Sequence, residues 1–164
     1  AMGRDMIRNL VSVTCLDEDG EIRSHPSGDL NAQYRSIPDL AHNFVLQAVF
    51  EGSPCAREEI EEKLEDARAK RRLSQPSGAS AGCIFKNPEE IPAGKLIDEL
   101  GLKNACVGDA CVSSVHANFI INRGHARARD ITILIDMIRK EAMENRGIDL
   151  KSEAQVIGDR EPQF

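Results

Sequence analysis

The chain reads as an α+β protein, with strands and one helix in its first half and helices alternating with short strands in its second. Three observations carry that prediction. A Val/Leu/Thr-rich run over residues 9–16 leads into Asp17-Glu18-Asp19-Gly20, a strong hairpin turn. Residues 57–73 carry Ile60, Leu64 and Ala67 at helical spacing. A longer amphipathic helix runs from about residue 129 to 145, with Ile131, Leu134, Ile135 and Ile138 as its apolar stripe.

The remaining elements follow in order. Residues 21–24 form the return strand of the hairpin, and residues 44–50, Phe-Val-Leu-Gln-Ala-Val-Phe, read as a mostly buried strand. Between them lies a polar loop with Tyr34-Arg35-Ser36. Glu58, Glu59, Glu61 and Glu62 crowd the start of the 57–73 helix and Lys70, Arg71 and Arg72 its end, which suits the helix dipole. The Ser/Gly/Pro-rich residues 74–81 read as a domain junction. A short helix follows Pro92, burying Leu96, Ile97 and Leu100 and ending at Gly101. Residues 107–112 and 118–121 read as strands, Gly147 ends the long helix, residues 154–157 form a last strand, and a tail follows from Gly158.

At 164 residues the chain holds one domain with a real core, or one small domain and part of another. No apolar run approaches the roughly 20 residues that span a bilayer. With no basic-then-apolar signal segment at its start, the expected compartment is the cytoplasm. A net charge of -6 argues against a nucleic-acid surface, and 4% aromatic content with no Trp argues against base-stacking platforms. The five cysteines are irregularly spaced, with no CxxC or Cys/His cluster. They read as reduced thiols, with no metal site expected.

The segment richest in chemistry is Gly82-Cys83-Ile84-Phe85-Lys86-Asn87-Pro88. Glycine lets backbone approach a ligand. A free thiol titrates at about 8.5, so Cys83 can hold or release a proton near neutral pH. Lys86 and Asn87 can grip a phosphate or a sugar. Together they suggest proton delivery beside an anionic ligand. Taken alone, Cys83 reads more readily as a small buried gap-filler and His116 as a structural histidine, and Lys86 equally as a solvated charge.

These residues, in order with others, resemble a known family. Tyr34-Arg35-Ser36, Gln75-Pro76, the 82–88 segment, Ala93-Gly94-Lys95-Leu96-Ile97, Val112-Ser113, His116-Ala117-Asn118-Phe119-Ile120-Ile121-Asn122, Glu153 and Ile157-Gly158 make up an ordered, specific set. It resembles the UDP-N-acetylenolpyruvoylglucosamine reductases (MurB), flavoenzymes of peptidoglycan precursor synthesis. The resemblance implies that NADPH reduces FAD. Hydride then reaches C3 of UDP-N-acetylglucosamine enolpyruvate, a protein acid protonates C2, and UDP-N-acetylmuramate leaves. It implies that residues 1–74 are the later part of an FAD-binding domain, residues 75–158 a substrate-binding domain and residues 159–164 a tail. The glycine-rich FAD-binding half should precede residue 1, as part of the same protein or as a separate chain. The short connection between Phe50 and Arg57 resembles the type lacking the long tyrosine-bearing loop.

The resemblance also assigns roles. Cys83 stands where most members have a proton-donating serine; a thiol is a stronger acid and suits the task unless a nearby cation makes it a thiolate. Arg35 matches the arginine that stabilises the enolate, and Glu153 the closing glutamate that works near C2. Tyr34, Lys86, Asn87, His116 and Asn118 are the implied substrate contacts, and Gly3, Ser36 and Ile157 the implied flavin contacts. One departure stands out: the family's Glu-Val-Arg is Glu153-Ala154-Gln155 here, which puts the arginine's contact in doubt. Two hypotheses of different class follow: the catalytic part of a reductase, or a non-enzymatic UDP-sugar-binding fragment without a complete FAD site. Flavin absorbance discriminates them. A cysteine redox or metal protein is a third, which the cysteine spacings do not favour.

Overall fold

A computed structural model describes residues 5–157. The chain divides into two compact units, Ala1–Ala67 and Arg68–Phe164, with the boundary inside a helix. The fold is α+β, built on two antiparallel sheets.

In the first unit, strands β1 (Leu10–Leu16), β2 (Ile22–Pro26) and β3 (Phe44–Phe50) form a sheet ordered β2-β1-β3. The predicted hairpin turn is held by Asp17, whose Oδ1 accepts the N–H groups of Asp19 at 3.0 Å and Glu21 at 2.9 Å. Val13 and Cys15 point to one face and are buried with Leu30, beneath Ile7, Leu10, Ile37 and Leu40. The expectation of a mostly buried β3 is corrected: all seven of its residues are exposed, Phe44, Leu46 and Phe50 among them. The strand is apolar on both faces, and the small cluster around Val13 does not reach it. Helix α1 (Arg57–Ser74) likewise buries none of its residues, so the Ile60/Leu64 stripe is formed but exposed.

In the second unit, β4 (Ala79–Cys83), β5 (Cys106–Val107), β6 (Ala110–Val112) and β7 (Phe119–Asn122) form a sheet ordered β4-β7-β6-β5. Helices α2 (Ala93–Glu99) and α3 (Ala128–Arg146) complete it. Leu96 and Ile97 of α2 and Leu134, Ile135, Ile138 and Ala142 of α3 join Ile84, Phe85, Val112, Ile120 and Leu150 in one core. The 3.6-residue periodicity of both helices therefore identified a buried face. Gly147 ends α3 with φ 66°.

Four local readings change. Ala79–Cys83, which overlaps the end of the stretch read as a junction, is a strand despite weak strand propensity, because β7 pairs with it. Residues 107–112 are a hairpin rather than one strand, turning at Gly108 and Asp109. Residues 154–157 form no strand; the closing segment makes a single bridge, Ser152 to Phe85. The reduced-thiol expectation fails for two cysteines. Cys106 and Cys111 are directly opposed on β5 and β6 and form a disulfide, while Cys15, Cys55 and Cys83 are free. Gly3 and the 159–164 tail lie outside the described residues. Among those described, no helix is long and apolar enough to cross a membrane.

The two faces of α3 give a direct test. Ile138→Ala, at a buried position, is expected to cost about 2–5 kcal/mol in urea unfolding. Ile133→Ala, at a position 43% exposed, should change stability by less than about 0.5 kcal/mol. Equal losses would contradict the assignment of faces.

Candidate functional site

The site begins with an irregularity in β4. Its register with β7 runs Ala79 to Asn122 and Ser80 to Ile121, then slips to Cys83 opposite Phe119. Ala81 and Gly82 thus oppose Ile120 alone, which makes a bulge, and a bulge re-aims the side chain after it. Gly82 has φ 80°, a left-handed conformation that strains any residue with a Cβ, and no atom lies within 4 Å of where a Cβ would stand. The backbone beside Cys83 is therefore open to close approach, and Cys83 itself is half-buried.

Beyond the bulge, residues 84–87 thread between two other parts of the chain. The Ile84 N–H donates to the Asn118 carbonyl at 2.9 Å. Its carbonyl accepts the Glu153 N–H at 2.7 Å and the Ala154 N–H at 3.3 Å. Lys86 N–H donates to the Lys151 carbonyl at 2.9 Å. The backbone of Glu153 is thus bonded to Ile84, the residue following Cys83, 69 positions earlier in sequence. Just upstream of Glu153, Lys151 and Arg139 surround Asp149 and hold its carboxyl below the usual range, the Lys151 hydrogen bond most strongly. Asp149 is exposed. Its contribution is present above the ordinary carboxylate pKa and fades as pH falls through the lowered one.

Asn87, His116 and Asn118 are all engaged within the fold. Asn87 Oδ1 accepts the N–H of Ala93, the first residue of α2, at 3.0 Å, so it anchors that helix start. Asn118 is buried, with its side-chain amide bonded to the Phe85 backbone. His116 Nδ1 accepts the Asn118 N–H at 3.2 Å, and its ring stands edge-on to Phe119 with centroids 5.0 Å apart.

In the first unit, Tyr34, Arg35 and Ser36 form an exposed turn closed by reciprocal bonds between Gln33 and Ser36. Arg35 has φ 59°, and its guanidinium lies 5.2 Å from the Tyr34 ring centroid. Positive φ in a non-glycine residue is a strained state that tends to mark functional positions. The structure therefore gathers Cys83, Lys86, Asn87, His116, Asn118 and Glu153 in the second unit and leaves Tyr34, Arg35 and Ser36 in the first. Ile157 is 95% exposed, and Gly3 is outside the described residues.

Two supporting residues carry more than the sequence suggested. Ser113, buried, accepts the N–H groups of Val115 and His116 on its Oγ and so shapes the turn before His116. Its legible signal was a Ser three residues ahead of a His within a turn. Gly94, on α2, lies so close to His116 that a Cβ would stand 2.7 Å from the ring's Cε1. No local pattern marks that approach. Among the described residues, no group of His, Cys, Asp or Glu side chains is arranged to hold a metal ion.

Fold and site together define a small α+β domain with a thiol-bearing loop at a bulged sheet edge, tied by backbone hydrogen bonds to the segment that carries Glu153. The family profile described as UDP-N-acetylenolpyruvoylglucosamine reductase, C-terminal domain (MurB_C), matches residues 74–157, just over half of the chain. The chain belongs to this family. It is 37% identical over 160 residues to the UDP-N-acetylenolpyruvoylglucosamine reductase of Syntrophus aciditrophicus, covering 97% of this chain and 51% of that protein. It is 37% identical over 163 residues to a Bacillus licheniformis protein of the same name, covering 98% of this chain and 89% of that one. The crystal structure of the Thermus caldophilus enzyme superposes with a TM-score of 0.78 at 33% identity, covering 91% of this chain and 53% of that one. The chain spans about half the length of most of the curated relatives it matches best.

The contact between Gly94 and His116 yields a prediction. Gly94→Ala gains up to about 1 kcal/mol of helix propensity but overpacks the ring at a cost of about 1–3 kcal/mol. A net loss of stability with displaced His116 ring resonances is expected. Stabilisation with unmoved resonances would show that the ring yields freely.

Proposed function

We propose that this chain supplies the proton-donating and substrate-holding part of a reductase that converts UDP-N-acetylglucosamine enolpyruvate to UDP-N-acetylmuramate in the cytoplasm, during peptidoglycan precursor synthesis. The observation that carries the proposal is the shared anchoring of Cys83 and Glu153 at Ile84, within a domain of the reductase family.

FAD, with NADPH as its reductant, is the cofactor the family implies, and this chain fits it in part. Arg35 stands in a strained, exposed turn, and β3 offers an apolar surface. No glycine-rich loop entering a helix, the usual cradle for a dinucleotide diphosphate, occurs among the described residues. When bound, reduced flavin supplies the hydride for C3. An N-terminal FAD-binding half is therefore the proposed partner. The exposed apolar residues of β3 and the relatives' greater length both support it.

The chain's own residues do the rest. As charge develops at C2, the Cys83 S–H bond breaks and a C2–H bond forms, leaving a thiolate. Glu153 orients this donor and returns a proton to it. Arg35, always charged, offers planar donors to the enolate oxygen. Lys86 carries positive charge toward the nucleotide diphosphate from the same segment. Asn87 and His116 shape the substrate pocket.

Joined to the N-terminal half of the Syntrophus aciditrophicus relative, the chain is expected to purify yellow, with flavin absorbance. A colourless assembly that still binds the UDP-sugar would instead support a non-enzymatic binding fragment. In the joined protein, Cys83→Ala should leave flavin reduction by NADPH unchanged while slowing substrate reduction by about 10²–10⁴-fold in stopped-flow measurements. Cys83→Ser should retain substantial activity. Equal loss of both half-reactions in Cys83→Ala would refute the proton-donor role.

A further inference from the structure

We infer that Asn118 is a positioning residue that fixes the geometry between Cys83 and Glu153, rather than a substrate contact. The inference rests on the reading of those two side chains as the reacting pair. Asn118 is 2% exposed. Its Oδ1 accepts the Phe85 N–H at 2.9 Å, and its Nδ2 donates to the Phe85 carbonyl at 2.8 Å. Both ends of one side-chain amide are thus bonded to the backbone of one residue, 33 positions away. The backbone of Asn118 is equally occupied: its carbonyl takes the Ile84 N–H at 2.9 Å, and its N–H goes to His116 Nδ1 at 3.2 Å.

Three bonds therefore lock residues 84–85 to Asn118 on one side. They leave the Ile84 carbonyl directed to the other side, where Glu153 and Ala154 attach. Turning the peptides of residues 84–85 would displace the end of Cys83 and release Glu153 in one movement. Only an asparagine has the length, the donor and the acceptor for this grip. Aspartate lacks the donor and sets a charge against the Phe85 carbonyl, leucine lacks both groups, and serine is too short. The neutral amide is what the site needs, since a buried acceptor facing another acceptor is costly.

The test uses the 164-residue chain with Cys55→Ser, so that iodoacetamide reports on Cys83: Cys15 is buried, and Cys106 and Cys111 are paired. Alkylation is followed against pH, and amide hydrogen exchange is read at Phe85 and Glu153. Asn118→Asp is expected to move the alkylation midpoint by about half a pH unit or more. Exchange at Phe85 and Glu153 should accelerate about tenfold at pH 7, while the amides of α3 stay protected. As pH falls, the substituted carboxyl becomes protonated and regains a donor toward Phe85, so corrected exchange at Glu153 should slow again. Ile138→Val, which loosens the same core without touching Asn118, should leave the Cys83 profile in place. The inference is overturned by an unmoved Cys83 profile in Asn118→Asp, or by an equal shift in Ile138→Val. If Asn118→Asp does not fold, the parent chain decides. Ile84, Phe85 and Glu153 amides that open with one common free energy support the clamp, and independent opening refutes it. Neither readout needs flavin or substrate, so failure here and failure of the reductase assignment are separable.

Discussion

The two polar groups of the Ile84 backbone are the point on which the second unit depends. The residue is 1% exposed, so neither its N–H nor its carbonyl can turn to water. The N–H is taken by Asn118, from the middle of the unit's sequence, and the carbonyl by Glu153, from near its end. Leaving either group unpaired would cost about 1–3 kcal/mol. A buried aliphatic residue thus does by backbone chemistry what its side chain does by packing: it holds three remote segments in one register. The loop with the thiol, the turn with the histidine and the closing segment with the glutamate are arranged by that single requirement.

Helices were legible because their period is local. The apolar spacing in α2 and α3 selected residues that are buried or, at Leu100 and Ile131, partly buried against the core, and the glycines after them marked their ends. Strands were less legible, because a strand is defined by its neighbour. Ala79–Cys83 carries no strand preference and becomes one only beside β7, 36 or more residues later. The apolar run of β3 was read as buried because its composition asks for burial, yet composition says nothing of what lies against it. The Cys106–Cys111 pairing depended on a turn at Gly108 that divided what looked like one continuous strand.

The candidate residues could be singled out in the sequence by type, whereas their arrangement could not. Cys83, Asn118 and Glu153 were each singled out by sequence, but nothing in their spacing revealed that Asn118 spends its amide on backbone. Asn87 is similar, with its carbonyl oxygen committed to the start of α2. Polar side chains recognised by type are often assigned outward, to ligand, when the fold has already claimed them. Gly94 shows the converse: a residue with no chemistry of its own sets the position of a histidine by being small.

The bare flank of β3 governs how the polypeptide behaves in concentrated solution. It is the last strand in its sheet, its outward hydrogen-bonding row faces no further strand of that sheet, and Phe44, Leu46, Val49 and Phe50 add an adhesive surface. Natural sheet edges usually blunt themselves with lysine, proline or a twist away from their neighbours, and this stretch has none of the charge or proline that would do so. Two copies meeting there would extend one another's sheet, so this margin favours association of the 164-residue polypeptide with itself as it is concentrated.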